Sequence, residues 1–133
     1  SGWWIGTDMQ EISTDEAPGA IGPYSQAIRH GDTVYTAGQG PLDPETGEVV
    51  DGDIGAQTAR TMENLAAVLD AAGTSLENVV KATVYLGDMD DYAAVNEAYT
   101  EHASEPFPAR TVVEVGEFPV ELGVEIEVVA AVE

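Results

Sequence analysis

The hydrophobic and polar positions of the first fifty residues predict β-strands in two segments that follow a loop at residues 16–23. Residues 24–29 and 33–37 are predicted to be two strands joined through the tripeptide His-Gly-Asp, a composition typical of a hairpin turn. A turn containing Pro and Gly over residues 43–47 then leads into a short extended segment at 48–50. This part of the chain is therefore predicted to be β-structure.

Two helices are predicted in the second part of the chain. From Asp53 the apolar spacing becomes three or four residues, which predicts a long helix with Asp53 as N-cap and Gly73 as C-terminal stop. Its apolar face consists of Ile54, Met62, Leu65, Leu69 and Ala72. A second helix is predicted over residues 89–104 and is capped by Asp88. Its inward-facing residues are Tyr92, Val95, Tyr99 and His102.

Three further strands are predicted at residues 79–86, 109–115 and 124–132. One face of the first of them is strongly apolar and consists of Val80, Ala82, Val84 and Leu86. The element order ββ(β)αβαββ predicts an α+β domain, in which two helices pack on one face of a mixed sheet.

Two charged residues are expected on the other face of this sheet. If the helices cover the more apolar strand faces, alternation places both Arg110 and Glu125 on the opposite face. That face also has many Val, Thr, Tyr and Ala residues, whose exposure to solvent would be unfavourable, so we expect a partner subunit to cover it. The sequence thus predicts a polar cluster where subunits meet.

Length and composition indicate one domain. The chain has 133 residues, 44% of them apolar, and no compositional break that would separate a second unit. Residues 1–8, which include both tryptophans, are predicted to be a sequence foreign to the domain or a loose arm, and residues 9–133 the domain itself. No apolar run approaches the roughly 20 residues of a membrane span, and no signal peptide is evident, so a cytoplasmic protein is expected.

The charge of the chain excludes several functions. Four Lys and Arg stand against 25 Asp and Glu, a formal net charge of −21. Too few cations remain for a nucleic-acid surface. Such a scattered negative charge is tolerated best in concentrated salt, which predicts a halophilic source. The chain has no Cys and only two isolated His, so thiol chemistry and a His-rich metal site are excluded, and no metal is expected.

Arg110 is the most informative of these few cations. It lies in the β-branched run 106–115, where a buried guanidinium needs a partner, because an unpaired buried charge costs several kcal/mol. A carboxylate of the protein could serve as this partner. A ligand carboxylate, which the planar fork of Arg binds in a bidentate manner, is the other candidate. The segment alone leaves both open.

Five segments, taken together, resemble the RidA (YjgF) family of reactive-intermediate deaminases. The match runs in the family's order and spacing from about Ile12 to the C-terminus. The segments are Ala20-Ile21-Gly22-Pro23-Tyr24-Ser25-Gln26-Ala27, Ala37-Gly38-Gln39-Gly40-Pro41-Leu42-Asp43-Pro44-Glu45-Thr46-Gly47, Ala94-Val95-Asn96, Pro108-Ala109-Arg110 and Val124-Glu125-Ile126-Glu127. The resemblance implies a chorismate-mutase-like α+β domain that assembles as a homotrimer around a barrel core, with three clefts between subunits.

The resemblance also implies an activity. This activity is the cofactor-free hydrolysis of short enamines and imines, such as 2-aminoacrylate and its tautomer 2-iminopropanoate, to 2-oxo acids and ammonia. The chain would then be a 2-iminobutanoate/2-iminopropanoate deaminase-type hydrolase. The alternative is a trimeric module that binds 2-oxo acids or related metabolites without catalysis. A ribonuclease activity is disfavoured by the net charge of −21.

Each matched residue is assigned a role by this resemblance. Arg110 would hold the substrate carboxylate, and Glu125 would orient or deprotonate the attacking water. Tyr24, from a neighbouring subunit, would pack on the planar substrate. Asn96 would donate or accept a neutral hydrogen bond at the cleft wall, and the Gly38 backbone would approach the ligand closely.

The chain departs from the family pattern directly after Arg110. Many members have Ser-Cys there, whereas this chain has Thr111 and Val112. If that position contributes a backbone carbonyl that holds water, Val112 can replace the Cys with little effect. If a sulfur atom shapes the site, the substrate range is expected to differ.

Overall fold

A computed structural model of the chain describes residues 8–133. Its strands and helices are β1 (Met9–Ile12), β2 (Ala27–His30), β3 (Thr33–Thr36), α1 (Ile54–Ala71), β4 (Val79–Leu86), α2 (Tyr92–His102), β5 (Ala109–Glu114) and β6 (Val124–Ala131). Single 3₁₀ turns, Leu76–Asn78 and Met89–Asp91, precede β4 and α2. Residues 1–7, the larger part of the predicted arm, lie outside the described residues, and Asp8 is exposed.

The six strands form one mixed sheet in the order β1-β2-β3-β6-β4-β5. The predicted hairpin is confirmed, because β2 and β3 pair antiparallel and Gly31 adopts the positive φ of 62° that its tight turn requires. Strand β6 lies between β3 and β4 and is antiparallel to both. Only β4 and β5 pair in parallel, since α2 connects them as a crossover.

Both helices pack on one face of this sheet and enclose the core. The first helix was predicted correctly, with the Asp53 side chain accepting a hydrogen bond from the Ala56 N–H at 2.9 Å and Gly73 ending the helix at a φ of 88°. The largest fully buried residues come from α1, α2 and the central strands: Leu65, Leu69, Leu86, Ile126, Val34, Val68, Val84, Val95 and Val124. Among residues 8–133, no helix is long and apolar enough to span a bilayer.

Several predicted element boundaries differ from the structure. Strand β1 was not predicted, and β2 begins at Ala27 rather than Tyr24. Residues 48–50 form only an isolated bridge between Val49 and Leu42 instead of a strand. The second helix is shorter than predicted, since Asp88 caps the 3₁₀ turn in front of it and the helix ends at His102.

Two side chains that were predicted to face the core are partly exposed. Val80 is 52% exposed, because a β-bulge between Val79 and Lys81 breaks the alternation of β4. Tyr92 is 43% exposed, because it occupies the first position of α2 rather than its middle. The other residues predicted to face inward from this helix, Val95 and Tyr99, are buried.

The prediction that Arg110 and Glu125 share a sheet face is wrong within one chain. Arg110 is in register with Ala82 of β4, which in turn pairs with Val128, and these residues face the helices. Glu125 pairs with Tyr85 on the opposite, helix-free face. The sequence argument took the face of β5 with more β-branched residues to be the one that packs on the helices. In the structure, the register of β5 with β4 decides this, because Arg110 lies beside the buried Ala82 and therefore faces α2.

Candidate active site in two halves

The first half of the site surrounds Arg110 at the start of β5. Its guanidinium lies against α2, where Nη2 donates a hydrogen bond to Oδ1 of Asn96 at 2.6 Å. The Cζ atom of Arg110 lies 4.9 Å from the ring centroid of Tyr99 and 5.9 Å from that of Tyr92, which are cation–π distances. Strand β5 and helix α2 therefore hold this cation by one amide and two aromatic faces.

No carboxylate of the described residues forms an ion pair with Arg110. The ion pair found among them joins Arg60 and Glu63 on α1, at 3.2 Å. All Asp and Glu of the chain lie within the described range, so a structural salt bridge of Arg110 inside one chain is excluded. A guanidinium has five N–H donors, and its bond to Asn96 leaves others for a ligand.

A cavity of about 220 Å³ opens beside this guanidinium. Asn96, Tyr99 and Phe107 contribute to its walls. The local positive charge also acts on the neighbouring phenol: the pKa of Tyr92 is lowered, first by a side-chain hydrogen bond with Asn96 and then by the charge of Arg110. An anionic ligand group would meet the same favourable field.

Val112 does not line this cavity. It faces the helices, as Arg110 does, and packs against the core in register with Val84. The structure thus gives its side chain a packing role, and a role of its backbone carbonyl in holding water stays a prediction.

The second half of the site surrounds Glu125 on the helix-free face of β6. Its side chain lies directly over Gly38, so that a Cβ atom built on Gly38 would come within 2.8 Å of Glu125 Cδ and closer still to Oε2. Gly38 is therefore needed to leave space for the carboxyl group. The close neighbour of Gly38 within the chain is Glu125, and the approach of the Gly38 backbone to a ligand stays a prediction.

The pKa of Glu125 is raised above its usual value. Burial of the carboxyl group is the larger cause, and the negative charge of Glu127 is the second. Glu127 accepts a hydrogen bond of 2.8 Å from the Tyr85 hydroxyl. A carboxylate with a raised pKa is suited to accept a proton from water near neutral pH.

Tyr24 lies on a loop beside Glu125. The ring is 52% exposed, and its hydroxyl accepts a long hydrogen bond of 3.5 Å from the Ile21 N–H. Tyr24, Gly38 and Glu125 all line one cavity of about 500 Å³. The structure thus brings three of the predicted site residues together on the Glu125 side, and Asn96 and Arg110 together on the other.

The two halves are far apart within one chain. Glu125 and Arg110 are separated by two strand spacings, about 10 Å, by three residues along the strand direction, about another 10 Å, and by the thickness of the sheet. Their two cavities share no lining residue. One small substrate cannot contact both residues of the same chain.

Two supporting residues were missed by the sequence analysis. Gln26 is buried, accepts a hydrogen bond from the Thr14 N–H at 2.7 Å and donates to the Pro18 carbonyl at 2.8 Å, which anchors the loop that leads to Tyr24. Asn64 is fully buried on α1 and donates to the carbonyls of Gly40 and Leu42 at 3.0 and 2.9 Å.

The Gln26 amide thus holds the loop before Tyr24, and the Asn64 amide holds the segment that follows Gly38. The signal for Asn64 was present in the sequence, since it is a polar residue next to Leu65 on the buried side of a predicted helix. Gln26 had no comparable signal, because its partners are backbone groups of an irregular loop. Among residues 8–133 no group of His, Asp and Glu is arranged to hold a metal ion.

Comparison with known proteins gives consistent matches over nearly the whole chain. Residues 14–132 match the protein family described as Endoribonuclease L-PSP. A RutC family protein of Pyrococcus abyssi is 53% identical over 119 residues, which cover 90% of this chain and 94% of that protein. A 2-iminobutanoate/2-iminopropanoate deaminase of Salmonella typhimurium is 45% identical over 123 residues, which cover 90% of this chain and 94% of that enzyme.

The fold is also shared with solved structures. The crystal structure of RidA from the Antarctic bacterium Psychrobacter sp. PAMC 21119 has a TM-score of 0.89 to this chain at 46% identity, with 92% of this chain and 99% of that chain covered. The resemblance stated from the sequence and the predicted α+β class with two helices on a mixed sheet are both confirmed.

Proposed function

We propose that this chain, which belongs to the Endoribonuclease L-PSP family with its RutC- and RidA-named members, is an enzyme that hydrolyses reactive enamines and imines of the 2-aminoacrylate and 2-iminopropanoate type. The deaminase name of one relative supports this reaction, and the other names describe only the family. A ribonuclease activity, which the family description suggests, is disfavoured by a net charge of −21, because RNA binding relies on cations that neutralise phosphates.

The observation on which this proposal rests most is the separation of Arg110 and Glu125 on opposite faces of one sheet. A small substrate needs both a carboxylate-binding cation and a water-activating base, so two chains must contribute one half each. We infer a homotrimer with three clefts, in which Arg110 and Asn96 of one subunit face Tyr24, Gly38 and Glu125 of the next. In a closed ring of three subunits, every Arg110 half faces a Glu125 half of a neighbour, so no half is left unpaired.

The proposed reaction needs only water and the groups of this cleft. Arg110 binds the substrate carboxylate through the N–H donors that Asn96 does not occupy. Glu125 takes a proton from a water molecule as the water oxygen bonds to the imine carbon, and the imine nitrogen takes up a proton. In the resulting amino alcohol the hydroxyl proton is transferred to the amino group, so that ammonia leaves and the 2-oxo acid remains. The atoms balance without a cofactor.

The second candidate function is a trimeric module that binds 2-oxo acids without catalysis. The partly buried guanidinium and the cavity beside it favour binding of an anion, whether or not the anion is then a substrate. Only the enzyme requires Glu125 as a base, and its raised pKa and its position over Gly38 favour the enzyme.

The deciding experiment compares turnover with binding. We would generate 2-aminoacrylate in molar KCl with a salt-tolerant amino-acid dehydratase, and measure whether this protein accelerates keto-acid formation. Glu125→Gln should lower turnover by about 10²–10⁴-fold and still bind pyruvate. Glu127→Gln is the matched control when turnover is measured well above the acid limb of the pH profile, because it removes a carboxylate from the same strand and face but not from the cavity. Pyruvate binding without acceleration by the unmutated protein would establish the binding module instead.

The proposed assembly has its own test. Light scattering in molar KCl should give about three times the chain mass of 14.0 kDa. Lowering KCl to about 0.05 M should reduce the midpoint of thermal unfolding, because screening of the net charge of −21 is lost. A monomer in molar salt would remove the basis of the shared cleft.

A further inference from the structure

Tyr85 of β4 lies directly opposite Glu125 of β6 in the antiparallel pair of these strands. Side chains opposite each other on one face have Cβ atoms about 4.5–5.5 Å apart, closer than diagonal neighbours. The Tyr85 hydroxyl nevertheless turns to its diagonal neighbour, where it donates a hydrogen bond of 2.8 Å to Oε1 of Glu127. The residue in register with Glu125 thus donates to a different carboxylate.

The Glu125 carboxyl group is left without a donor. Among residues 8–133, no N–H or O–H group donates a hydrogen bond to it, and the hydroxyl opposite is bonded to Glu127. A hydrogen bond to a carboxylate stabilises its charged form and makes it a weaker base. A carboxylate that has to take a proton from water is therefore more effective without such a bond.

The other titratable groups on this face lie farther away or are not bonded to Glu125. Tyr35 of β3 and Lys81 of β4 both pair with Val129. That position is four residues from Glu125, about 13 Å along the strand. Tyr24 approaches from its loop but donates no hydrogen bond to Glu125 within the described chain. On the adjoining strands, the opposite tyrosine and the second glutamate of β6 are therefore the titratable groups nearest to this carboxyl group.

The electrostatics keep the tyrosine a donor. The pKa of Tyr85 is raised, first by its hydrogen bond to Glu127, then by burial and by the charges of Glu127 and Glu125, so the phenol stays protonated at neutral pH. The charge of Glu127 also raises the pKa of Glu125, after burial. Glu127 thus affects Glu125 in two ways, since it repels a second negative charge and also occupies the hydroxyl opposite.

We propose that Glu127 is a positioning residue for the water-activating carboxylate, because it holds the Tyr85 hydroxyl away from Glu125 and leaves Glu125 free to accept a proton from water. The inference rests on the proposed function, since it concerns the base of that reaction, but the contacts behind it do not depend on turnover. Loss of the acceptor at position 127 would release the hydroxyl to the carboxyl group directly opposite. Glu125 would then ionise at lower pH and be a weaker base.

Two substitutions of similar size separate the charge of Glu127 from its role as acceptor. Glu127→Gln removes the charge but keeps an oxygen that accepts from Tyr85, whereas Glu127→Leu removes both. The pKa of Glu125 would be measured in molar KCl by NMR of protein labelled with carbon-13 at the glutamate carboxyl groups, and Glu125→Gln would identify its resonance. This pKa should fall slightly in Glu127→Gln and by about one unit more in Glu127→Leu.

Tyr85→Phe provides the decisive control. Alone it should leave the pKa of Glu125 nearly unchanged, because the hydroxyl that it removes is not bonded to Glu125. Combined with Glu127→Leu, it should bring the pKa back to that of Glu127→Gln, because no hydroxyl remains to turn. Equal pKa values in Glu127→Leu and in the double variant would overturn the inference. So would a shift in Tyr85→Phe alone that is as large as the shift in Glu127→Leu.

Turnover separates this inference from the deaminase function. In a deaminase the acid limb of kcat against pH should move in the same order of variants, because Glu125 must be ionised and a lower pKa moves the limb to lower pH. A chain that hydrolyses no imine but shows the expected pKa values keeps the positioning by Glu127 and loses only the deaminase function. An active deaminase in which Glu127→Leu and the double variant titrate alike loses only this inference.

Discussion

The two halves of the site are built in different ways. The Arg110 half consists of regular elements, since the guanidinium extends from β5 to Asn96 and Tyr99 on α2. The Glu125 half combines one strand with irregular segments, among them the loop of Tyr24 and the backbone at Gly38. A permanently charged group thus lies on a rigid frame, whereas the titratable group lies where loops control its exposure.

This difference corresponds to the chemistry proposed for each half. Arg110 remains charged in any environment, so aromatic rings and one amide are sufficient to orient it. Glu125 can serve as a base only if its pKa is raised, and the pKa depends first on how deeply the surrounding residues bury the carboxyl group. Binding of the substrate carboxylate therefore depends on where Arg110 is held, and proton transfer depends on how closely neighbouring residues pack around Glu125.

The four cations of the chain show the same distinction. Arg29 donates to the Ala72 carbonyl at the end of α1, and Arg60 is held by Asn64 and Glu63. Lys81 donates to the Thr111 hydroxyl at 2.9 Å rather than to a carboxylate. Among residues 8–133 Arg110 has one hydrogen bond, to Asn96, so it has the most donors left for a ligand.

Mixing two inactive variants would test the separation of the halves most strongly. Arg110→Ala and Glu125→Gln should each lower turnover by about 10²–10⁴-fold. The two variants would be unfolded and refolded together in equal amounts. If the halves of one cleft come from different chains, about a quarter of the unmutated activity should return, because on average one cleft in four then has an intact Arg110 half and an intact Glu125 half. If mixed oligomers form but their activity stays at the level of the single variants, the two halves of a cleft do not come from different chains.

Gly38→Ala should disturb only the Glu125 half. The new methyl group would overlap the Glu125 carboxyl group, and a displacement of about 1 Å at a reacting group can cost about 10²-fold in rate. Pyruvate binding, which depends on Arg110, should change much less. Gly116→Ala is the matched control, since a Cβ atom there meets nothing within 4 Å. Equal turnover of both variants would show that Gly38 does not position Glu125.

Arg110→Lys should weaken the other half by a smaller amount. The charge is retained but the planar fork is lost, so about 1.5–3 kcal/mol of a charge-assisted contact disappears, equivalent to about tenfold to 150-fold in pyruvate affinity. The pH dependence of kcat should stay the same, because Glu125 is untouched. A shifted pH profile without loss of affinity would indicate that Arg110 acts on the base rather than on the ligand.

The smallest expected effect is that of Glu127→Gln on the pH profile. The negative charge of Glu127 contributes to the raised pKa of Glu125, so its removal should lower that pKa. Because Glu125 must be ionised to accept a proton, activity is lost as pH falls through its pKa, and this acid limb should move to lower pH. An unchanged acid limb, measured as kcat against pH, would mean that a different group sets it.

The sequence predicted the α+β class, the hairpin, α1 with its cap and stop, and five of the residues in the two halves, whereas Val112 lines neither cavity. These follow from local chemistry: Asp53 and Gly73 mark the ends of α1, and alternation identifies β4 and β6. Predictions failed where contacts distant in sequence decide. Strand β1 exists only because it pairs with β2, and Val80 is exposed because of a bulge against β6.

By itself, the sequence determined which residues could perform the chemistry, because few cations, no Cys and a set of matching segments leave few alternatives. Only the tertiary structure decided that Arg110 and Glu125 lie on opposite faces, that Gly38 makes room for Glu125, and that Arg110 has no carboxylate partner within its own chain. The physical reason is that a side chain's face, burial and pKa depend on strand register and on packing between distant segments, and neither is specified by spacing along the chain.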